Sequence, residues 1–221
     1  MKIGREEHSA TAISGSNAET IVVRGHDLVG ELIGRISFTD HVWLLVAGAL
    51  PNEAQRRVLD STLVAIAEHG LVPSVVASRM TLAAAPEALQ GAVAAGILGC
   101  GSVILGASAD AGKLFDEILA QQRQAGSDVD AAVREVVGRY RAVKRPVPGY
   151  GHPLHKGYDP RARRLIEVAR EAGVAGAYVE IAEAVDRLLP EMTGRPLKMN
   201  VSGAIPAVRA STGTPFSAKS G

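Results

Sequence analysis

The sequence predicts an all-α protein. Apolar residues recur at three- and four-residue spacing through most of the 221 residues, whereas strict alternation is confined to short pieces such as Thr20-Ile-Val-Val-Arg24. Pro51, Gly70, Pro73 and Pro86 punctuate the periodic stretches at helix-length intervals. The length suffices for one sizeable core, and no polar low-complexity stretch divides the middle, so residues 1–221 are expected to form a single domain with room for two lobes.

Taken in order, the first strong helix start is Ser37-Phe-Thr-Asp40, a hydroxyl cap with an acid three residues later, ahead of the apolar run beginning at Val42. Pro51 separates that helix from a second, about 52–69, which Gly70 closes. Pro73 can open a third through Ala85, and Pro86 a fourth through about Gly99. Small residues fill the fourth from Gly91 to Gly96, which suits a helix buried between others or set at a subunit interface. Later segments are amphipathic: Val133, Val136, Val137 and Tyr140 share one helical face, and Ile181, Ala184, Val185 and Leu188 another. The end, 211–221, is poor in large apolar residues and is expected to be a disordered tail.

Charge and composition narrow the function. Twenty-four basic residues against 23 acidic ones provide no global field to recruit nucleic acid or an anionic membrane, so any anion site must be local. The single cysteine, Cys100, lies in an apolar run and reads as a buried, inert thiol, and one cysteine excludes an internal disulfide. The start, Met1-Lys-Ile-Gly-Arg-Glu-Glu-His8, lacks the apolar core of a signal peptide, and no run approaches membrane-spanning length, which makes a cytoplasmic location the expectation. No metal-ligand cluster, Gly-Lys-Ser phosphate loop or Ser-His-Asp arrangement stands out, and no metal is expected.

Two glycine-rich segments break the helical rhythm, Gly99-Cys-Gly-Ser-Val-Ile-Leu-Gly106 and Lys144 to Arg161. In a helical protein such breaks free backbone amides for ligands. The second break gathers His152, His155, Lys156 and Arg161, with Gly149 and Gly151 allowing backbone shapes that other residues resist. Asp159 before Pro160 fits a capped helix start, and Arg161 in that first turn is suited to a bidentate carboxylate contact. Spacing alone is equally compatible with a solvated basic loop and a capping aspartate.

Val147-Pro-Gly-Tyr-Gly-His152 followed by Asp159-Pro-Arg161 resembles the signature segment of the citrate synthase family. The resemblance extends in order along the chain, through Val23-Arg-Gly-His-Asp27, Ser37 to Pro51, Glu68-His-Gly70 and Asn200-Val201. Within it, the stretch Glu68 to Ser74 and the segment Gly99 to Ala107 look closest to short citryl-CoA lyases and to the lyase portion of ATP-citrate lyase. The resemblance implies a citrate-synthase-like helical fold, a large helical domain with a smaller helical lobe, in a homodimer. It also implies that His152 hydrogen-bonds the carbonyl of oxaloacetate or the hydroxyl of a citryl group, with His69 and Arg161 holding substrate carboxylates. Val147, Pro148, Gly149 and Gly151 would receive the adenine of coenzyme A, and Lys156 its phosphates. His69 has a plainer reading too, since a histidine in the last turn of a helix can simply face the helix dipole.

Three departures from the family pattern stand out. Ile104 occupies the place of the histidine that stabilises the acetyl-CoA enol in synthases. Ser202 stands in Asn200-Val-Ser-Gly where the family has Asn-Val-Asp, whose aspartate moves the methyl proton. The chain also stops after Pro206 and a short tail, so it is expected to be C-terminally truncated relative to the family. The expected function is citryl-CoA lyase or citrate synthase-like chemistry joining or separating acetyl-CoA and oxaloacetate, with the coenzyme A thioester as substrate. The alternative is an impaired regulatory homologue that binds coenzyme A and a carboxylate, because a serine hydroxyl lacks a carboxylate's basicity.

Overall fold

A computed structural model describes residues 11–68, 70–101, 106–152, 155 and 157–213. Nine α-helices and one small sheet are present among them, so the all-α expectation holds with a minor β addition at the start of the chain. The chain divides into two compact units, Met1–Asp60 and Ser61–Gly221.

The first unit carries the antiparallel sheet β1 (Ser14–Ser16), β2 (Ile21–Val23) and β3 (His26–Asp27). Its β2 strand is the alternating piece noted in the sequence. Asn17 shapes the β1–β2 turn by accepting the Glu19 and Thr20 N–H groups at 2.9 and 2.8 Å. Arg24 and Gly25 both take positive φ, 49° and 86°, in the tight turn between β2 and β3. Asp27 caps the π-helical turn Leu28–Leu32. Helix α1 (Phe38–Ala47) begins with the expected capping box, Ser37 and Asp40 each accepting the other's backbone N–H, and ends at Gly48 with φ 81°. Val23, Leu32 and Leu44 form the small core of this unit.

Helix α2 (Glu53–Ile66) ends three residues earlier than the sequence suggested. In the second unit α3 (Pro73–Ala84) has its proline at the first position, as expected. Helix α4 (Leu89–Leu98) starts later than expected: Pro86 and Glu87 form a turn, and Ala88 is the cap. The two pack closely against each other, with room at Gly99 for nothing larger, since a Cβ there would lie 3.0 Å from Ser74 Cα. Cys100, expected to be buried, is only half-buried at the end of this pair.

The rest of the unit is a bundle of α5 (Gly106–Ala125), α6 (Val129–Ala142), α7 (Pro160–Glu171), α8 (Ala177–Thr193) and α9 (Val201–Ser211). Helix α9 is central, touching α5, α7 and α8. Its inward residues are small, with Gly203, Ala204, Ala207 and Val208 buried, so three helices can approach it closely. The two amphipathic faces read from the sequence are both buried: Val133, Val136, Val137 and Tyr140 on α6, and Ile181, Ala184, Val185 and Leu188 on α8. Leu114, Phe115 and Ile118 of α5 complete the core. Ser211, placed in the tail by sequence, is the last residue of α9, its hydroxyl donating to Ala207 O at 2.9 Å.

Candidate active site

The glycine-rich segment before α7 is laced to the segment before α9. Gly151 N–H donates to Lys198 O at 2.7 Å, and Asn200 N–H donates to Gly149 O at 3.0 Å. Between these, Tyr150 and Met199 pair as an antiparallel bridge, and the Asn200 side-chain amide donates to Gly151 O at 2.6 Å. Only glycine fits at positions 149 and 203. Gly149 has φ +84°, and a Cβ on it would stand 2.7 Å from Gly203 Cα and 3.0 Å from Ala111 Cβ; a Cβ on Gly203 would stand 2.6 Å from Gly149 O.

Neighbouring side chains hold both strands of the seam. Tyr150 is buried, and its hydroxyl donates to Ala182 O of α8 at 2.8 Å. Burial, reinforced by the Asp186 charge, pushes its phenol well above the ordinary tyrosine range, so it acts as a fixed neutral strut. Asp186 of α8 accepts the Met199 N–H and, at 3.5 Å, contacts the Lys198 ammonium. Asn200 caps α9 by accepting the Ser202 N–H at 2.9 Å, which sets Ser202 at the second position of the helix, half-buried.

His152 follows the seam directly. Its Nδ1 accepts the backbone N–H of His155 at 3.1 Å, and the two imidazole rings lie with centroids 4.5 Å apart. With Nδ1 used as an acceptor, the neutral ring carries its proton on Nε2. That tautomer is a hydrogen-bond donor at its far nitrogen.

Asp159 joins the third segment. Its carboxylate, 1% exposed, accepts Arg161 N–H at 3.0 Å and Val201 N–H at 3.0 Å, and contacts Arg161 Nε and Nη2 at 3.1 and 2.9 Å. Burial alone would raise this carboxyl. The hydrogen bonds from the Arg161 side chain and from the two backbone N–H groups outweigh it, together with the Arg161 charge, and hold the group below the ordinary carboxylate value. Asp159 is therefore a saturated, weakly basic carboxylate.

The structure thus brings together the segments bearing His152, Arg161, Ser202 and the Val147–Gly151 loop. His69, Lys156 and Ile104 lie outside the described residues. Sequence reasoning gave Asp159 only a capping role and Asn200 none, although both contact more than one segment of the site. The side-chain reach that makes them links is a tertiary property, and the Asp-Pro-Arg and Asn-Val spacings alone did not disclose it. A groove of about 390 Å³ adjoins Asp159 and Met199, between α7 and α8. Its cations are matched within it, Arg170 to Glu183 at 2.7 Å, Arg163 to Glu167 at 3.8 Å and Lys198 to Asp186 at 3.5 Å, so it offers no unopposed positive charge.

Residues 52–216 match the family model described as citrate synthase, C-terminal domain. The chain belongs to the citrate synthase family. A citrate synthase of Deinococcus radiodurans is 28% identical over 180 residues, 78% of this chain and 43% of that protein. The chain therefore spans less than half the length of that relative. Among solved structures, citryl-CoA lyase from Hydrogenobacter thermophilus superposes with a TM-score of 0.81 at 33% identity, covering 94% of this chain and 77% of that one. An ATP citrate lyase from Methanosaeta concilii, solved in complex with (3S)-citryl-CoA, shares the fold with a TM-score of 0.75 at 22% identity, covering 99% of this chain and 34% of the larger one. Family membership agrees with the helical architecture.

Proposed function

We propose that the chain acts on citryl-CoA, forming or breaking the carbon–carbon bond between the acetyl group of acetyl-CoA and the carbonyl carbon of oxaloacetate. The observation that carries this reading is the seam from Gly149 to Asn200, which sets the His152 loop against the start of α9 while His155 N–H leaves His152 its proton on Nε2. In the bond-forming direction an enolate carbon attacks the oxaloacetate carbonyl carbon. The carbonyl oxygen gathers negative charge and receives the hydrogen bond from His152 Nε2–H. A donor aimed at a developing oxyanion commonly contributes several kcal/mol in such a reaction, about 3–4 kcal/mol in measured cases. In the cleavage direction the citryl hydroxyl gives up its proton to solvent, the same contact steadies the resulting alkoxide, and its collapse to the carbonyl releases the acetyl-CoA enolate, which takes a proton from water at the methyl carbon.

Arg161 pairs with a substrate carboxylate, and His69 with another. The seam already uses Gly149 O together with the N–H and O of Gly151, so contacts to the adenine of coenzyme A fall chiefly to the half-buried Val147 and Pro148, with Lys156 for the phosphates. Proton transfer at the acetyl methyl carbon has no carboxylate at Ser202. A water held by that hydroxyl is left to serve, and a general acid–base step of this kind is worth about 10² to 10⁴ in rate. The chain is accordingly a slow enzyme. The Ser202 substitution also favours a second reading, a regulatory homologue that binds coenzyme A and a carboxylic acid without turnover.

The active unit is a homodimer, formed through α3 and α4. These helices touch mainly each other, and Val76, Met80, Leu89, Val93, Ile97 and Leu98 are exposed on them. From 71 to 101 the only charged side chains are Arg79 and Glu87, the depletion expected of an interface core. No helix among the described residues is long and apolar enough to cross a membrane, and a cytoplasmic location fits such substrates.

The deciding experiment follows acetyl-CoA and oxaloacetate appearing from citryl-CoA, with His152→Ala beside the unmodified chain. Cleavage that falls at least about 100-fold in the variant supports the enzyme. Coenzyme A binding without any cleavage supports the regulatory reading, and neither binding nor cleavage rejects both.

A further inference from the structure

We propose that Asp159 is a positioning residue: it presets the Arg161 guanidinium for a substrate carboxylate and ties it to the start of α9. The inference rests on the function proposed above. The geometry exceeds what a helix cap requires, because one oxygen accepting one N–H suffices for a cap and asparagine caps as well as aspartate. Here Oδ1 takes Arg161 N–H and Nε–H at 3.0 and 3.1 Å, while Oδ2 takes Arg161 Nη2–H and Val201 N–H at 2.9 and 3.0 Å. Both oxygens are spent, and the group is buried.

The consequence lies in which arginine donors remain. A guanidinium has five N–H groups in a planar fork. Asp159 takes the side edge, Nε and one Nη2 hydrogen, and so leaves the end edge, formed by Nη1 and the other Nη2 hydrogen. That end pair matches a carboxylate in a bidentate contact. Because Oδ2 also holds Val201 N–H, the arginine and the turn of helix bearing Ser202 move as one piece. The ligand recognised is thus a carboxylate presented end-on to Arg161, at a distance from Ser202 that a single buried carboxylate fixes.

The test is a double-mutant cycle read by calorimetry with oxaloacetate as probe, in the unmodified chain, Asp159→Asn, Arg161→Ala and the double variant. Asp159→Asn keeps an acceptor for the cap but loses the two-oxygen grip, so affinity falls on the order of tenfold, the usual loss for a charge-assisted hydrogen bond. In the Arg161→Ala background the same change costs nothing further, since its effect passes through the arginine. Equal losses in both backgrounds mean that Asp159 acts only on the fold, and overturn the proposal. Should the unmodified chain bind no oxaloacetate, the functional reading fails. The positioning role is then judged from the Arg161 Nε–H resonance, assigned by its disappearance in Arg161→Lys. Protection from solvent exchange in the unmodified chain supports it, and exchange at the rate of exposed arginines overturns it. The same resonance decides the matter if Asp159→Asn does not fold.

Discussion

On the proposed function, Ser202 is the residue on which activity turns. It occupies the second position of α9, where a carboxylate is also welcome to the exposed N–H groups and the helix dipole, so Ser202→Asp should fold. Under that proposal the substitution supplies a base for the acetyl methyl proton, and citryl-CoA turnover is expected to rise by about 10² or more. Unchanged turnover in a folded variant would locate the deficit elsewhere. Two buried carboxylates give the chain a definite acid response. Asp40 is opposed by burial, but its carboxyl is held below the ordinary value by the Arg56 side chain and by the Ser37 backbone and hydroxyl, and Asp159 is held down likewise. A carboxyl whose folded value is depressed stabilises the fold fully above its unfolded value, near pH 4, and the contribution disappears as pH drops through the lower folded value. Melting temperature should therefore be level on the acidic side down to about pH 5 and fall below about pH 4. In Asp40→Asn that fall should be shallower, as thermal unfolding by circular dichroism at stepped pH will show.

At the scale of elements, the seam between the loop at 149–151 and the residues at 198–200 does what neither segment does alone. It is short, with two backbone hydrogen bonds, one side-chain bond and a Gly149–Gly203 contact too close for any Cβ. Gly149→Ala meets positive-φ strain and a clash with backbone that cannot step aside, and is expected to cost on the order of 2–4 kcal/mol. Chemical denaturation measures this directly. Loss of His152-dependent turnover before loss of helicity would show the seam opening ahead of the bundle. The α7 start adds a second brace, because Asp159 reaches from its cap position to Val201 of α9. Helices α7 and α9 are thus fastened both by packing along their length and by one carboxylate at their beginnings.

For the whole molecule, the α3–α4 pair is the region whose surface is least explained by the chain itself. Its apolar side chains are exposed, and its charged residues across 71–101 number two. Val93, about half exposed at 52%, is a position where a charge costs the single chain little. Val93→Glu should leave the melting temperature of a dilute sample nearly unchanged while shifting sedimentation from dimer to monomer, since a glutamate left unpaired in an interface core is strongly unfavourable. A dimer that persists in Val93→Glu would place the subunit contact elsewhere.

Several helices were legible because their signals are local: the Ser37–Asp40 capping box of α1, Pro73 and Pro160 at the first turns of α3 and α7, and the buried faces of α6 and α8 all declare themselves within a few residues. Where the local signal was ambiguous the reading slipped, as at Pro86, which lies in a turn before α4, and at the end of α2, where Ile66 closes the helix ahead of Gly70. The loop carrying His152 could be marked from composition and from its resemblance to a family. Its partners could not, because Asn200 lies about fifty residues further along and hydrogen bonds over such a separation leave no periodic trace in the sequence. By itself the sequence determined the helical class, several helix starts, the histidine-bearing loop and the serine at position 202. Only the tertiary structure decided the tautomer of His152, the grip of Asp159 on Arg161 and the seam that joins loop to α9, since each depends on donors and acceptors brought together by packing rather than by adjacency in the chain.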